Sequence, residues 1–139
     1  MCVGGQNRDG FLSTAEAYDA TTGDCYEFPC MKEVRDGVRA VAWQGQVLVA
    51  GGTADGRKAL NTVEMYSPVR NEWTGHSGMI EARCDHALVA VDGRVYAIGG
   101  VGRGFLNSVE VLGEEGWRSA SALKKGGGCY AAAVVGVSE

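Results

Sequence analysis

Apolar and β-branched residues come in short runs bounded by turn-forming residues, and no stretch keeps a helical period over a dozen positions. This pattern predicts an all-β chain. In its middle part the runs predict strands over residues 38–43, 47–50, 61–66 and 72–75. A later group of runs predicts strands over residues 86–91, 95–98, 108–112 and 116–119. We refer to the four strands of each group as strands a, b, c and d.

Turn-forming residues join these strands into antiparallel pairs. Strands a and b are connected through Gln44-Gly45 in one group and through Asp92-Gly93 in the other. Asp-Gly is a strong hairpin signal because this turn needs positive φ at both central positions. Four short antiparallel strands form a small sheet that cannot bury both faces alone, so each sheet needs neighbours like itself.

A double glycine at the end of strand b shows that the chain repeats. It occurs as Gly4-Gly5, Gly51-Gly52 and Gly99-Gly100, at spacings of 47 and 48 residues. A glutamate of strand c follows each pair, at Glu16, Glu64 and Glu110, with spacings of 48 and 46 residues. The chain therefore contains three copies of one unit. Glycine at this place lets neighbouring backbones approach where any side chain would clash.

The order of these markers resembles the Kelch repeat. In the middle copy, Gly51-Gly52 is followed by the run Val63-Glu64-Met65-Tyr66, by Trp73 and by Met79. The resemblance covers essentially the whole chain and implies a Kelch-type β-propeller with four-stranded blades. It also implies structural roles for the glycine pairs and for aromatic residues that fill the space between sheets. The residues concerned are Gly4, Gly5, Tyr18, Gly51, Gly52, Tyr66, Trp73, Gly99, Gly100 and Trp117.

The phase of the repeat predicts a single Kelch-repeat domain over residues 1–139. Its expected parts are strands b–d of a first blade (1–37), a second blade (38–85), a third blade (86–128) and a closing strand a (129–139) phased to complete the first blade. Three blades are fewer than the usual four to eight. Three arrangements therefore stay open: a partial chain, a homodimer that completes a six-bladed ring, and a three-bladed or open array.

Charge and composition narrow the range of partners. The formal net charge is -4, whereas nucleic-acid binding needs a concentrated basic surface. The longest apolar runs are far too short to span a bilayer, and no basic start precedes an apolar core at the N-terminus. We therefore expect neither nucleic acid nor a membrane as a partner.

The five cysteines also bear on location. They are Cys2, Cys25, Cys30, Cys84 and Cys129, and none of them forms a Cys-x-x-Cys pair. This odd number favours reduced thiols, buried or half-buried as small apolar residues. We therefore expect a cytoplasmic protein, with the nucleus as a further location.

The candidate binding surface is the edge of the sheets that carries the b–c and d–a connections, here called the loop face. It comprises residues 6–12, 31–37, 53–60, 79–85, 101–106 and 123–128. These residues hold nine basic and six acidic side chains, a net charge of +3 against -7 for the remainder. Arginine forks suit carboxylates and phosphates, so the expected ligand is an acidic or phosphorylated peptide of a protein partner. The candidate partner-binding residues are Arg8, Arg35, Arg57, Arg83, Arg103 and Lys124.

The resemblance implies how such binding would occur. In Kelch-like ubiquitin-ligase adaptors, which this chain most resembles, the same face recruits the substrate, often through arginines at the start of strand a. Arg35 and Arg83 match that position, whereas Gly127 replaces it in the last copy. The leading hypothesis is therefore a non-catalytic partner-recognition module.

Two other function classes stay open. Some Kelch-type propellers are enzymes with copper-radical or isomerase activity, but a copper site needs several histidines, and the chain has His76 and His86 alone. Its sequence contains no serine-hydrolase motif, phosphate-binding loop or zinc-spaced histidine pair. We predict no enzyme activity, no metal and no cofactor. Other family members bind actin, which makes a cytoskeletal role the further alternative.

Overall fold

The computed structural model describes residues 1–128 and 130–136, and the regular elements in that part of the chain are all β-strands. The first repeat unit contains β1 (Cys2–Val3), β2 (Gln6–Asn7), β3 (Gly10–Phe11), β4 (Ala15–Tyr18) and β5 (Cys25–Phe28). The second contains β6 (Arg39–Trp43), β7 (Gln46–Ala50), β8 (Val63–Ser67) and β9 (Glu72–His76). The third contains β10 (Ala87–Val91), β11 (Arg94–Ile98), β12 (Val101–Gly102), β13 (Gly104–Phe105), β14 (Val109–Gly113) and β15 (Gly116–Ala120). The described residues include no helix long and apolar enough to cross a membrane.

The strands form three antiparallel sheets, one for each repeat unit. The first sheet has the order β1-β4-β5, the second β6-β7-β8-β9 and the third β10-β11-β14-β15. The hairpins β2–β3 and β12–β13 are small additions within the b–c connections. Within each sheet the strands pair antiparallel in chain order, and β1 pairs with β4 and β11 with β14 across the b–c connections that hold the small hairpins. The predicted all-β class with four-stranded sheets is confirmed for the second and third units.

The a–b turns have the backbone that their sequence demands. Gln44 and Gly45 have φ of +51° and +70°, and Asp92 and Gly93 have φ of +50° and +72°. Positive φ at both central positions matches the right-handed twist of the flanking strands. These turns therefore fix the pairing of Trp43 with Gln46 and of Val91 with Arg94.

The core lies between the sheets, and the second sheet is buried on both sides. Val49, Tyr66 and Trp73 pack against the first sheet. Leu48, Val63 and Met65, which alternate with them along β7 and β8, pack against the third sheet. This alternation follows from the two-residue period of a strand. The second sheet thus buries one face against the first sheet and the other face against the third.

The aromatic residues of the repeat differ in burial because the sheets differ in their neighbours. Tyr66 and Trp73 are buried between the first and second sheets, and Trp117 is half-buried against the second sheet. Tyr18 takes the same place in the first sheet, yet its side chain is 64% exposed. The role predicted for Tyr18 is therefore corrected: no sheet of the described chain lies against the face from which it projects.

The cysteines also differ from expectation. Cys2, Cys25 and Cys30 are exposed free thiols rather than buried or half-buried residues, whereas Cys84 is half-buried. Cys25 pairs with Tyr18 as Trp73 pairs with Tyr66, and Cys2 pairs with Glu16. Cys2 and Cys25 are exposed because they lie on the same uncovered face of the first sheet.

The predicted closing strand is not formed where the structure describes it. Cys129 and residues 137–139 lie outside the described residues, and residues 130–136 contain no strand. The first sheet therefore has three strands rather than four. The Tyr130 backbone N–H donates to the Asp85 carbonyl oxygen at 3.2 Å, which places Tyr130 beside the connection between the second and third sheets.

Candidate binding face

The three b–c connections are ordered hairpins with an arginine at each tip. Arg8 lies in the turn between β2 and β3, and Arg103 lies between β12 and β13. In the second unit, Thr53 bridges to Ala59 and Arg57 lies within the loop that they close. All three arginines are exposed, as is Lys124 in the connection after the third sheet. The structure thus presents four of the six predicted partner-binding residues to solvent.

Side-chain hydrogen bonds hold these tips in place. The Asn7 Oδ1 accepts from the backbone N–H groups of Asp9 at 2.9 Å and Gly10 at 3.1 Å. The Asp55 Oδ1 accepts from those of Arg57 and Lys58, both at 2.8 Å. The N–H groups of Lys58 and then Arg57 lower the pKa of Asp55, because they stabilise its carboxylate. A loop that is already ordered loses less conformational entropy when it binds a partner.

A groove of about 400 Å³ lies between these connections. Its walls come from the b–c connections of all three units, with Phe11 as the aromatic wall and Gly56 against its ring. Arg57 and Lys58 supply positive charge on one part of the wall, and Asp36 and Asp85 supply negative charge on another. The groove can therefore take an extended segment that combines an apolar side chain with charged ones. Sequence reasoning missed Phe11, although its place beside a loop tip is visible from the repeat phase.

A larger cavity of about 640 Å³ lies at the opposite edge, between the turns of the second and third sheets. The rings of Trp43 and Trp117 form its apolar part. Its charged residues are Asp92, Arg94, Glu114, Glu115 and Arg118. Acidic side chains outnumber basic ones there, so this cavity suits an acidic ligand less well than the loop face does.

Arg35 and Arg83 are not available to a partner, which corrects the prediction made for them. Both are fully buried. The Arg35 Nη1 donates to the carbonyl oxygens of Gly51 at 2.8 Å and Thr62 at 3.0 Å. Its Nε donates to the Glu64 Oε2 at 3.0 Å. The Arg35 side chain extends from the d–a connection of the first unit to the second sheet, where it links the end of β7 to the start of β8.

Arg83 repeats this arrangement one sheet further on. Its Nη1 donates to the carbonyl oxygens of Gly99 at 2.8 Å and Ser108 at 3.1 Å. Its Nη2 donates to the Glu110 Oε2 at 2.7 Å. Each arginine therefore joins two adjacent sheets. The planar fork suits this place because strands b and c separate after the double glycine and leave two carbonyl oxygens facing the same way.

We call each buried arginine, with the groups it contacts on the following sheet, a clamp. The glutamates of strand c accept from these arginines and complete the clamps, a role that sequence reasoning missed. Besides Arg35, Glu64 accepts from the Lys32 backbone N–H at 2.7 Å through its Oε1. Glu110 accepts from the N–H groups of Ile80 at 2.5 Å and Glu81 at 3.0 Å. Both glutamates are buried. The signal was present in the sequence, because each arginine recurs in phase with the glutamate of the following unit.

The glycine pairs make room for the same connections. A Cβ on Gly51 would collide with the Arg83 carbonyl oxygen, and a Cβ on Gly4 with that of Arg35. A Cβ on Gly100 would lie 2.6 Å from the Cys84 carbonyl oxygen. The backbone of the d–a connection thus passes directly over the end of strand b. Any side chain there would push the sheets apart.

The histidines do not form a metal site with other described residues. No group of three or more histidine, cysteine, aspartate or glutamate side chains is arranged to hold a metal in the described part of the chain. His86 is fully buried, and neither ring nitrogen has a hydrogen-bond partner there. Burial, aided by the charges of Arg83 and Arg39, lowers the pKa of His86 to about 3. The His86 ring is therefore neutral at pH 7.

Sheets that pack face to face through clamped d–a connections define a class of repeat proteins in which each unit stabilises the next. The family model of the Kelch motif matches residues 35–75 and 82–112. The chain belongs to the Kelch repeat family.

Two relatives and one solved structure show the range of the similarity. The chain is 28% identical over 120 residues to Kelch repeat and BTB domain-containing protein 1 of cowpox virus (strain Brighton Red), covering 83% of this chain and 21% of that protein. It is 37% identical over 73 residues to Kelch-like protein 35 of Mus musculus, covering 52% of this chain and 12% of that protein. The chain thus spans about a fifth or less of the length of these relatives.

The solved structure of YjhT superposes with a TM-score of 0.74 at 14% identity, covering 91% of this chain and 49% of that one. This likeness shows the fold alone. Together with the antiparallel sheets, it confirms a Kelch propeller architecture for the chain.

Proposed function

We propose that this chain is a non-catalytic protein-interaction module whose loop face binds an acidic or phosphorylated peptide of a protein partner. Membership of the Kelch repeat family supports the general role. The names of the relatives, which join Kelch repeats to a BTB domain or describe Kelch-like proteins, support a finer proposal. In that proposal the chain is the partner-recognition part of an adaptor of the Kelch-like ubiquitin-ligase type.

One observation carries the proposal: an exposed arginine lies at the tip of each b–c connection. Arg8, Arg57 and Arg103 come from three different sheets, and their loops are shaped by local hydrogen bonds or short strand pairing. A rigid scaffold with one charged tip per repeat can present several donors to one ligand. Guanidinium forks pair well with carboxylate and phosphate groups, which supports an acidic or phosphorylated peptide as the ligand.

The charge of the loop face still favours an acidic ligand after the two buried arginines are removed from it. Arg35 and Arg83 each pair with a half-exposed glutamate of the same face, Glu33 and Glu81, at 3.3 Å. Without these four residues the face keeps seven basic and four acidic side chains, so its net charge remains +3. The groove beside Phe11 adds an apolar contact that a purely electrostatic surface lacks.

The test uses synthetic peptides of equal length and measures binding by fluorescence anisotropy. One peptide is rich in aspartate and glutamate, one carries phosphoserines, and one is a neutral glutamine-serine peptide. We expect the two anionic peptides to bind and the neutral one not to. Replacing Arg8, Arg57 and Arg103 together by glutamine should weaken binding roughly tenfold, since exposed charge pairs contribute about 0.2–1 kcal/mol each.

The matched control replaces three exposed arginines away from the loop face, Arg70, Arg94 and Arg118, by glutamine. This variant carries the same change in net charge and should bind the anionic peptides as the unmodified chain does. Equal losses in both variants would show a general charge effect and contradict the proposed site. Binding of the neutral peptide at the same affinity would contradict the proposed ligand class.

A further inference from the structure

The edge of the sheets opposite the loop face is acidic. This turn edge, as we call it, consists of the a–b and c–d turns at residues 19–24, 44–45, 67–72, 92–94 and 113–116. It holds six acidic and two basic side chains, a net charge of -4, whereas the loop face has a net charge of +3. The two edges therefore favour ligands of opposite charge.

The cavity of about 640 Å³ at the turn edge lies where the third unit departs from the second. In the second unit the Tyr66 hydroxyl donates to the Asn71 Oδ1 at 2.7 Å, so the tyrosine ring reaches the c–d turn. In the third unit Leu112 takes the place of Tyr66. The turn that follows Leu112 has two residues between its strands, Glu114 and Glu115, whereas that of the second unit has four. A smaller side chain and a shorter turn leave this edge unfilled.

Two tryptophans form the apolar wall of this cavity, and hydrogen bonds fix both rings. The Trp43 Nε1 donates to the Gly93 carbonyl oxygen at 2.9 Å. The Trp117 Nε1 donates to the Ser77 carbonyl oxygen at 2.9 Å. Because both indole N–H groups already have acceptors, the rings offer a ligand their π surface rather than a donor. The indole face attracts cations more strongly than that of any other aromatic side chain.

The carboxylates that line the same cavity are available to a ligand. Asp92 in the a–b turn and Glu114 and Glu115 in the c–d turn are exposed. None of them forms an ion pair or a hydrogen bond through its side chain with another described residue. They outnumber the two guanidinium groups of the cavity, those of Arg94 and Arg118. An excess of carboxylates beside an indole ring matches a ligand that is cationic and partly apolar.

We propose that this cavity binds a basic segment of a protein partner, with the side chain of one lysine lying across the Trp117 ring. The lysine methylene groups contact the indole, and Asp92, Glu114 and Glu115 neutralise the ammonium group. The charge of the turn edge brings further basic residues of the segment to the same region. This site is separate from the loop face and does not depend on what the loop face binds.

The test measures the binding of labelled peptides of equal length to the whole chain by fluorescence anisotropy. One peptide carries three lysines among glycines and serines, and a second carries three glutamates instead. We expect the variant Asp92→Asn/Glu114→Gln/Glu115→Gln, here called the cavity variant, to weaken binding of the lysine peptide about tenfold. Its Asn-Gly pair keeps the hairpin turn. Binding of the glutamate peptide, which the proposed function assigns to the loop face, should not fall.

The matched control is the variant Asp24→Asn/Glu27→Gln/Glu72→Gln. It removes the same charge at three exposed positions that do not line the cavity, and it should bind the lysine peptide as the unmodified chain does. A further variant, Leu112→Tyr, changes no charge and gives the third unit the tyrosine of the second. Its ring should fill the cavity and weaken binding at least tenfold, with folding checked by circular dichroism.

A loss of lysine-peptide binding in the cavity variant that the control does not share supports the proposal. It is overturned if the lysine peptide does not bind the unmodified chain, if both triple variants lose binding equally, or if a folded Leu112→Tyr chain binds normally. Sedimentation velocity tests a second copy of the chain as the occupant. Self-association of the unmodified chain that the cavity variant abolishes would also overturn the proposal.

Discussion

The Arg83 guanidinium shows how a single buried side chain can stabilise the packing of one sheet on the next. It is buried, it donates to two carbonyl oxygens of the third sheet, and it neutralises the buried Glu110. Arg57 has the same side chain at a loop tip and is exposed. The difference follows from what lies within reach of each side chain, because a buried charge must be paired whereas an exposed one is solvated by water.

Substitution of Arg83 should therefore lower stability far more than substitution of Arg57. We expect Arg83→Met to lower the free energy of unfolding by about 3–5 kcal/mol, since it leaves Glu110 buried without its cation. Arg57→Met should change it by no more than about 0.5 kcal/mol. Urea denaturation followed by tryptophan fluorescence measures both. Equal free energies of unfolding for the two variants would contradict the stabilising role assigned to Arg83.

His86 gives stability a specific dependence on pH. Its pKa in the folded chain is about 3, below the ordinary value of 6.5, because burial disfavours the charged ring. The unfolded chain takes up a proton as the pH falls through 6.5, while the folded chain does not until about 3. The His86 contribution therefore falls as the pH falls across this window, by at most about 1.4 kcal/mol per pH unit.

The measurement compares the unmodified chain with His86→Leu, which cannot take up that proton. The unfolding free energy of the unmodified chain minus that of the variant should decrease steadily from pH 6.5 to pH 4. Titrating carboxylates that behave alike in the two proteins cancel in this difference. A difference that stays constant with pH would show that His86 is protonated equally in both states.

At the scale of the strands, the double glycine is where one sheet meets the connection of another. Gly52 has a φ of +92°, and a Cβ there would lie 2.8 Å from the Asp36 carbonyl oxygen. Gly45, in the a–b turn, also has positive φ, at +70°, but no atom lies within 4 Å of its ideal Cβ. The two positions share backbone strain and differ in crowding.

This pair separates the two costs. Gly45→Ala should lower the free energy of unfolding by about 1–2 kcal/mol, the cost of left-handed backbone alone. Gly52→Ala should cost roughly 2–5 kcal/mol, because a displaced connection adds to the strain. Chemical denaturation of both variants gives the comparison. If Gly52→Ala were no worse than Gly45→Ala, close approach would not be the reason for the second glycine.

At the scale of the whole molecule, the sequence predicted the local features well. Strands β6 to β11 lie within two residues of their expected bounds, because hydrophobic alternation and turns such as Asp92-Gly93 are encoded within a few positions. The prediction that Arg35 and Arg83 are exposed to a partner was wrong, because both are buried. Their burial depends on glutamates 29 and 27 residues away and on the packing of one sheet against another, which no local pattern reports.

The exposure of Tyr18 has a similar cause. Its sequence context matches that of the buried Tyr66, and the two differ in whether a preceding sheet is present. The loop tips were predictable because Arg8, Arg57 and Arg103 lie between turn-forming residues at similar distances from each double glycine. The sequence did not predict that the arginines of the d–a connections would be buried between sheets while those of the b–c connections would be exposed to solvent.

The central claim has two parts: Arg35 and Arg83 hold the sheets together, and Arg8, Arg57 and Arg103 are the proposed partner-binding residues. The most direct test is the thermal midpoint of unfolding, measured with and without the acidic peptide. The variant with glutamine at all three tips should keep the midpoint of the unmodified chain and lose most of its rise at a peptide concentration near the Kd of the unmodified chain. Arg83→Lys should lower the midpoint and keep the rise. An Arg83→Lys chain with an unchanged midpoint and no rise would contradict the account.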